Sequence, residues 1–143
     1  MPSILYPPET VRASVGLLLI RVIGGGMLAL HGWPKMRNAF HWMGADAPVP
    51  AILQACAALA EFGGGIALVL GLLTPVAALG VIITMTVALA TVHFPAGDPI
   101  VAAPPAPSKE PALYYLGLGL LMLFTGPGAA SIDRIIFGRR ERY

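Results

Sequence analysis

The chain has 143 residues, of which 57% are hydrophobic and 11% charged, with a mean hydropathy of +0.78 and a net charge of +2. Globular domains carry about 25% charged residues, so this composition excludes an ordinary water-soluble fold, and its few basic residues are not interleaved with aromatics as nucleic-acid binding requires. A single cysteine, Cys56, excludes an intrachain disulfide and a Cys-only metal site, and reads as a small buried apolar residue. We expect one all-α membrane domain over residues 1–143, with the lipid bilayer as its main partner.

Residues 1–10 hold Pro2, Pro7 and Pro8 and lead to a helix start at Glu9-Thr10. They do not read as a secretory signal, because the apolar run after them holds Arg21 and continues past Gly26. The first span is expected over about 13–33, closed by Pro34. A central Arg in a span costs roughly 2.5 to 3.5 kcal/mol, so Arg21 needs a partner. The carboxylate deep in another apolar run is Glu61, and each of the two charges stands beside a glycine triplet, Gly24 to Gly26 and Gly63 to Gly65. A buried Arg21–Glu61 ion pair is therefore expected, with the glycines allowing close helix contact.

A loop with Lys35, Arg37, His41, Trp42 and Asp46 comes next, and Trp33 and Trp42 fall where an interfacial aromatic belt would lie. The second span is expected over 49–73 and the third over 76–94, joined so tightly at Thr74-Pro75 that they must be antiparallel neighbours. Threonines 84, 86 and 91 are expected to bond back to helix carbonyls. Residues 95–111 contain six prolines in seventeen positions and read as a flexible or partly extended flap. A shorter fourth helix is expected over 112–125, and after Ser131, a good N-cap, a brief interfacial helix over 131–137. The predicted fold is an integral membrane four-helix bundle with that short C-terminal helix. Arg12, Arg134, Arg139, Arg140 and Arg142 at the end that carries both termini, against Lys35, Arg37 and Lys109 at the other, predict cytoplasmic termini.

Counting about 1.5 Å per residue along each span brings His31, Gln54 and His93 to one height near the outer surface. With Glu110 and Tyr114 at the start of the fourth helix, they form a predicted polar pocket beneath the proline-rich flap. Gln54 and Glu61, seven residues apart, share a helix face, while Cys56 points roughly the other way. No i, i+3 or i, i+4 spacing supports a metal site from His31, His93 and Glu110, and none is expected.

The order of residues resembles the DoxX family of small four-helix bacterial membrane proteins over about residues 13–134. The resemblance is carried by Leu19-Ile20-Arg21, His31-Gly32 with Lys35, Ala60-Glu61-Phe62-Gly63-Gly64, Gly71-Leu72-Leu73-Thr74, Val92-His93, and Leu123 to Gly128 with Ser131-Ile132-Asp133. The proline-rich loop departs from the pattern. The resemblance implies a membrane subunit of an oxidoreductase system, at most an oxidoreductase component itself. Quinone is the implied small molecule, and imidazole and phenol groups in the predicted pocket would suit its carbonyls. The alternatives are a non-catalytic anchor or assembly partner for a soluble enzyme and, less favoured, a small proton or solute carrier built on Arg21 and Glu61. A soluble oxidoreductase partner and a homo-oligomer both fit the reading.

Overall fold

The computed structural model describes residues 11–44 and 46–138, and these contain helices and turns but no strand. Helices α1 (Val11–Met36), α2 (Ala51–Leu70) and α3 (Thr74–His93) are each long and apolar enough to cross a membrane. Helix α4 (Glu110–Thr125) is apolar but shorter, and α5 (Ile132–Phe137) is a brief C-terminal turn of helix. Helix α2 packs on α1 and on α3, and α3 packs on α4.

The distribution of side chains identifies the solvent. Leu30, Val76 and Phe124 are 75%, 67% and 73% exposed, whereas Arg21, Gln54 and Glu61 are 1%, 3% and 2% exposed. In water each exposed apolar side chain would forfeit about 25 cal/mol per Å². In hydrocarbon that penalty vanishes, and the polar groups must turn inward and find partners. A core of Leu28, Leu68, Val81, Met85, Leu118 and Met122 fills the rest of the interior.

Helix ends differ from the sequence expectation by a few residues, for local reasons. Helix α1 runs through Pro34 to Met36, because proline loses only its own N–H and the Arg37 amide still bonds Trp33 O at 3.1 Å. Helix α2 stops at Leu70 and not at Leu73, since Gly71 takes the left-handed conformation at φ 63° and ends it. Leu73, at φ 46°, is the second positive-φ residue of the tight turn, and α3 starts at Thr74. Residues 1–10 and the arginines at 139, 140 and 142 lie outside the described residues.

The glycine triplets perform the close packing expected of them. A Cβ on Gly65 would lie 2.5 Å from Ala29 N, and one on Gly25 would lie 2.8 Å from Gly65 O. Further along the same contact, a Cβ on Gly32 would fall 2.5 Å from Phe62 N. The backbones of α1 and α2 therefore touch, and this sets their antiparallel register: Gly32 faces Glu61, and Arg21 faces Gly71. Residues Arg21–Gly25 form a π-helical turn. One extra residue in a turn rotates the remainder of the helix by roughly 100°, so the faces of α1 before and after the turn are not in simple 3.6-residue phase.

At the end shared by the α2–α3 turn and α5, polar groups knit the elements together. The Arg21 guanidinium donates to the carbonyls of Pro127, of Ala130 at 2.8 Å and of Val69 at 3.4 Å. Val69 belongs to the last turn of α2, where carbonyls lack helical partners and the helix dipole favours a cation. Asp133 caps α3 from outside: its carboxylate accepts from Leu73 N at 2.6 Å and Thr74 N at 2.8 Å. Its own amide bonds Gly71 O at 2.8 Å. Ser131 caps α5 as expected, accepting from Arg134 N at 3.2 Å.

Asp133 thus supplies two charge-assisted bonds to a helix N-terminus. Asp133→Ala should destabilise the protein by about 2 kcal/mol, and Asp133→Asn, which keeps one acceptor oxygen, by less. Thermal unfolding in detergent checks this, and equal melting temperatures for the three proteins would contradict it.

Candidate functional site

Glu61 is received by Lys35 and not by Arg21. Lys35 Nζ donates to Glu61 Oε1 at 2.6 Å, with the Lys35 side chain 21% and the Glu61 side chain 3% exposed. The expected Arg21–Glu61 pair fails because of register. Arg21 lies level with Gly71, ten residues of α2 from Glu61, or roughly 15 Å along the axis, beyond the reach of a guanidinium. Lys35 is in the last turn of a helix that runs past Pro34, and side chains lean toward the helix N-terminus, which brings its ammonium down to the level of Gly32 and Glu61.

Aromatic groups surround the pair. The Lys35 ammonium lies 4.6 Å from the centre of the Trp42 ring, a cation–π contact worth about 0.5 to 1 kcal/mol or more when desolvated. Trp42 is held there by Gln54: its indole N–H donates to Gln54 O at 2.9 Å, and Gln54 Oε1 accepts from Met43 N at 3.1 Å. Gln54 Nε2 also donates to Val49 O at 2.9 Å. Gln54, expected as a pocket residue, fastens the first loop over the start of α2. His41 is exposed in that loop, as expected, and its carbonyl accepts from Asn38 Nδ2.

On the α4 side, buried Tyr115 meets the His31 ring at 5.8 Å between centroids and Tyr114 edge-on at 5.3 Å. Both His31 and Tyr115 are within electrostatic reach of Glu61. Tyr114 lines a shallow groove of about 340 Å³ between α1 and α4, together with Ile20, Leu113, Gly117, Leu118 and Leu121. Its hydroxyl packs beside Gly24, where a Cβ would come within 3.1 Å of it.

His93 belongs to a separate cluster. Its Nδ1 lies 2.7 Å from Asp98 Oδ2, and Lys109 Nζ donates to the Asp98 carbonyl while resting 4.9 Å from the Phe94 ring centre. Lys109 N bonds Pro99 O at 2.9 Å. The proline-rich segment, expected as a flap, is therefore tied at both of its ends, with exposed residues between. Glu110 is exposed at the start of α4. Of the five residues expected to share a pocket, His31 and Tyr114 both meet Tyr115, whereas Gln54 holds a loop, His93 pairs with Asp98 and Glu110 is exposed. Heights counted along separate helices place residues at one level but do not tell which way each side chain turns.

Cys56 departs from expectation too: it is exposed on the outward face of α2 and not buried. Thr91 does bond back, to Val87 O at 2.8 Å. No group of three His, Cys, Asp or Glu suited to a metal ion occurs among the described residues. Lys35, Trp42, Tyr115 and Asp98 are the site residues that sequence reasoning missed. The proximity of Trp42 to Lys35 in a loop of few residues was the available signal for two of them.

A helical chain that turns leucine, valine and phenylalanine outward and holds a carboxylate, an ammonium and a guanidinium inside is a membrane protein in contact with lipid. The DoxX family profile matches residues 16–94, a stretch that contains Arg21, His31, Lys35, Glu61 and His93. An uncharacterized protein of Haemophilus influenzae is 32% identical over 122 residues, covering 85% of this chain and 90% of that one. The chain belongs to the DoxX family. No solved structure matches it significantly.

The pairing is testable by double-mutant cycles. Lys35→Met alone should cost about 3 kcal/mol, because it leaves Glu61 charged and unmatched, while Lys35→Met combined with Glu61→Leu should cost less than the sum of the two. The Arg21→Gln and Glu61→Gln changes should add within about 0.5 kcal/mol. Unfolding in detergent gives all the terms. Coupling between Arg21 and Glu61 without coupling between Lys35 and Glu61 would reverse the assignment.

Proposed function

We propose that the protein is a membrane subunit of an oxidoreductase system and that it holds a quinone in the groove between α1 and α4. The observation that carries this reading is the groove itself: an apolar trough of about 340 Å³ on the lipid-facing side, lined by Ile20, Leu113, Gly117, Leu118 and Leu121, with the Tyr114 phenol on its wall. Leucine and isoleucine suit an isoprenoid tail arriving from lipid, and a phenol can donate to a quinone carbonyl. Tyr114 packs edge-on against Tyr115, which in turn meets His31. DoxX membership supports a membrane role, while the redox assignment rests on the chemistry of the groove and on the family resemblance.

In this reading α4 is a fourth, short span, and the protein is a four-helix bundle in the bacterial inner membrane with both termini cytoplasmic. Support comes from the packing of α4 along α3 and from the meeting of Arg21, the α2–α3 turn and α5 at one end. The basic residues Arg12 and Arg134 belong to that end as well. A reporter fused after Tyr143 should be active only in the cytoplasm, and periplasmic activity would invert the topology.

Gly117 offers a direct test of the groove, since a Cβ there would meet nothing within 4 Å. Gly117→Leu should fill the groove without disturbing the fold and should lower co-purifying quinone, measured by mass spectrometry of extracts, by at least about tenfold, or about 1.4 kcal/mol. Tyr114→Phe should lower it less. Full quinone content in Gly117→Leu would remove the groove from consideration. A wild-type protein that co-purifies with a soluble oxidoreductase yet carries no quinone would instead be an anchor.

A further inference from the structure

We propose that Glu61 is a proton-binding site, at which a proton from water displaces Lys35 as the partner of the carboxylate. The starting observation is that the pair is only half complete. Oε1 accepts from Lys35, but Oε2 is buried and has no hydrogen-bond partner among the described residues. A carboxylate in low dielectric is held in its charged form by the groups that bond to it, and here one oxygen contributes nothing. The surface of Oε2 is below 1 Å², so a ligand that needs a cavity cannot reach it. A proton needs none.

The surroundings supply the second half of the argument. Lys35, at 21% side-chain exposure, is the more open member of the pair, and its ammonium already rests on the Trp42 ring. When Glu61 is protonated, the attraction between ammonium and carboxylate is lost, and the ammonium retains the π face and water. One proton enters, no bond between heavy atoms changes, and the charge of the centre rises from zero to +1. The other groups that face Glu61 are few. From α1 they are Lys35 and His31, and from α4 Tyr115. Helix α3 carries no acidic or basic residue other than His93, which is paired with Asp98. Arg21 is occupied with carbonyls at the opposite end. Among the described residues no second carboxylate competes for the proton within α1, α2 or α3, and the positive charge of Lys35 is what opposes its arrival. This proposal does not depend on what the α1–α4 groove holds.

Infrared difference spectra of the full chain in lipid nanodiscs, recorded on acidification, test it directly. The wild type should gain a protonated-carboxyl band and lose carboxylate intensity. Part of that band should be missing in Glu61→Gln and present in Asp98→Asn and Glu110→Gln, the remainder coming from the chain's other carboxylates. Glu61→Asp, which keeps the charge, should move the band and so secures the assignment if Glu61→Gln does not fold. In Lys35→Met the band should reach half its height at a proton concentration at least about tenfold lower. With Trp33→Phe as background, Trp42 fluorescence should track the same titration as the band, because Lys35 leaves Glu61 as the proton arrives. The proposal is overturned if no Glu61-dependent carboxyl band appears while the protein remains folded, or if Lys35→Met titrates as the wild type does. Quinone retention in these same samples reports on the groove separately, so either reading can fail without the other.

Discussion

Backbone contact between α1 and α2 is the constraint that organises the interior. Gly25, Gly32 and Gly65 let the helices approach until a single added methyl group would strike main-chain atoms. In lipid, where apolar side chains gain little by leaving one hydrocarbon surface for another, such close approach is the main source of helix association. Once the glycines meet, the vertical position of every polar group on α1 relative to α2 is set. Lys35 reaches Glu61, and Arg21 arrives beside the last carbonyls of α2 and the turn at Gly71.

The two ends of the molecule use their charges differently. At the α5 end, Arg21 and Asp133 act on backbone groups, the guanidinium on orphan carbonyls and the carboxylate on orphan amides. Helix termini in a membrane have no water to satisfy them at depth, and these two side chains supply the missing partners for α2 and α3. Gly71 is indispensable to that arrangement, since its positive φ turns the chain and a Cβ would collide with Ser131 and Arg21. At the opposite end, charges act on each other: Lys35 on Glu61, and His93 and Lys109 on Asp98. The α5 end spends its charges on main-chain atoms. The other retains an unbonded carboxylate oxygen and an ammonium that touches an aromatic face, the kind of incomplete network from which a responsive site can be made.

The apolar exterior connects this interior to its medium. Tyr114, which lines the groove, meets Tyr115, and Tyr115 meets His31. In the roles proposed for the groove and for Glu61, a molecule that partitions from the bilayer and a proton that comes from water use different groups of the same helical core. Separation of this kind keeps a charged group out of hydrocarbon while leaving an apolar ligand free to enter from it.

Composition and local pattern determined a good deal by themselves. The apolar runs announced three long membrane-compatible helices and a shorter one, Ser131 announced the start of α5, and the Gly-Gly-Gly triplets announced close packing, because each depends on residues near one another in the chain. Helix ends were legible to within a few residues, with α1 running past Pro34 and Gly71 ending α2 early. The partner of Glu61 was not legible. Choosing between Arg21 and Lys35 requires the register of α1 against α2, which is set by atoms tens of residues apart and shifted by a π turn that no local pattern marks. The same holds for the grouping of His31 with Tyr115 and of His93 with Asp98: sequence spacing yields height along a helix, whereas azimuth and neighbour are properties of how the helices pack.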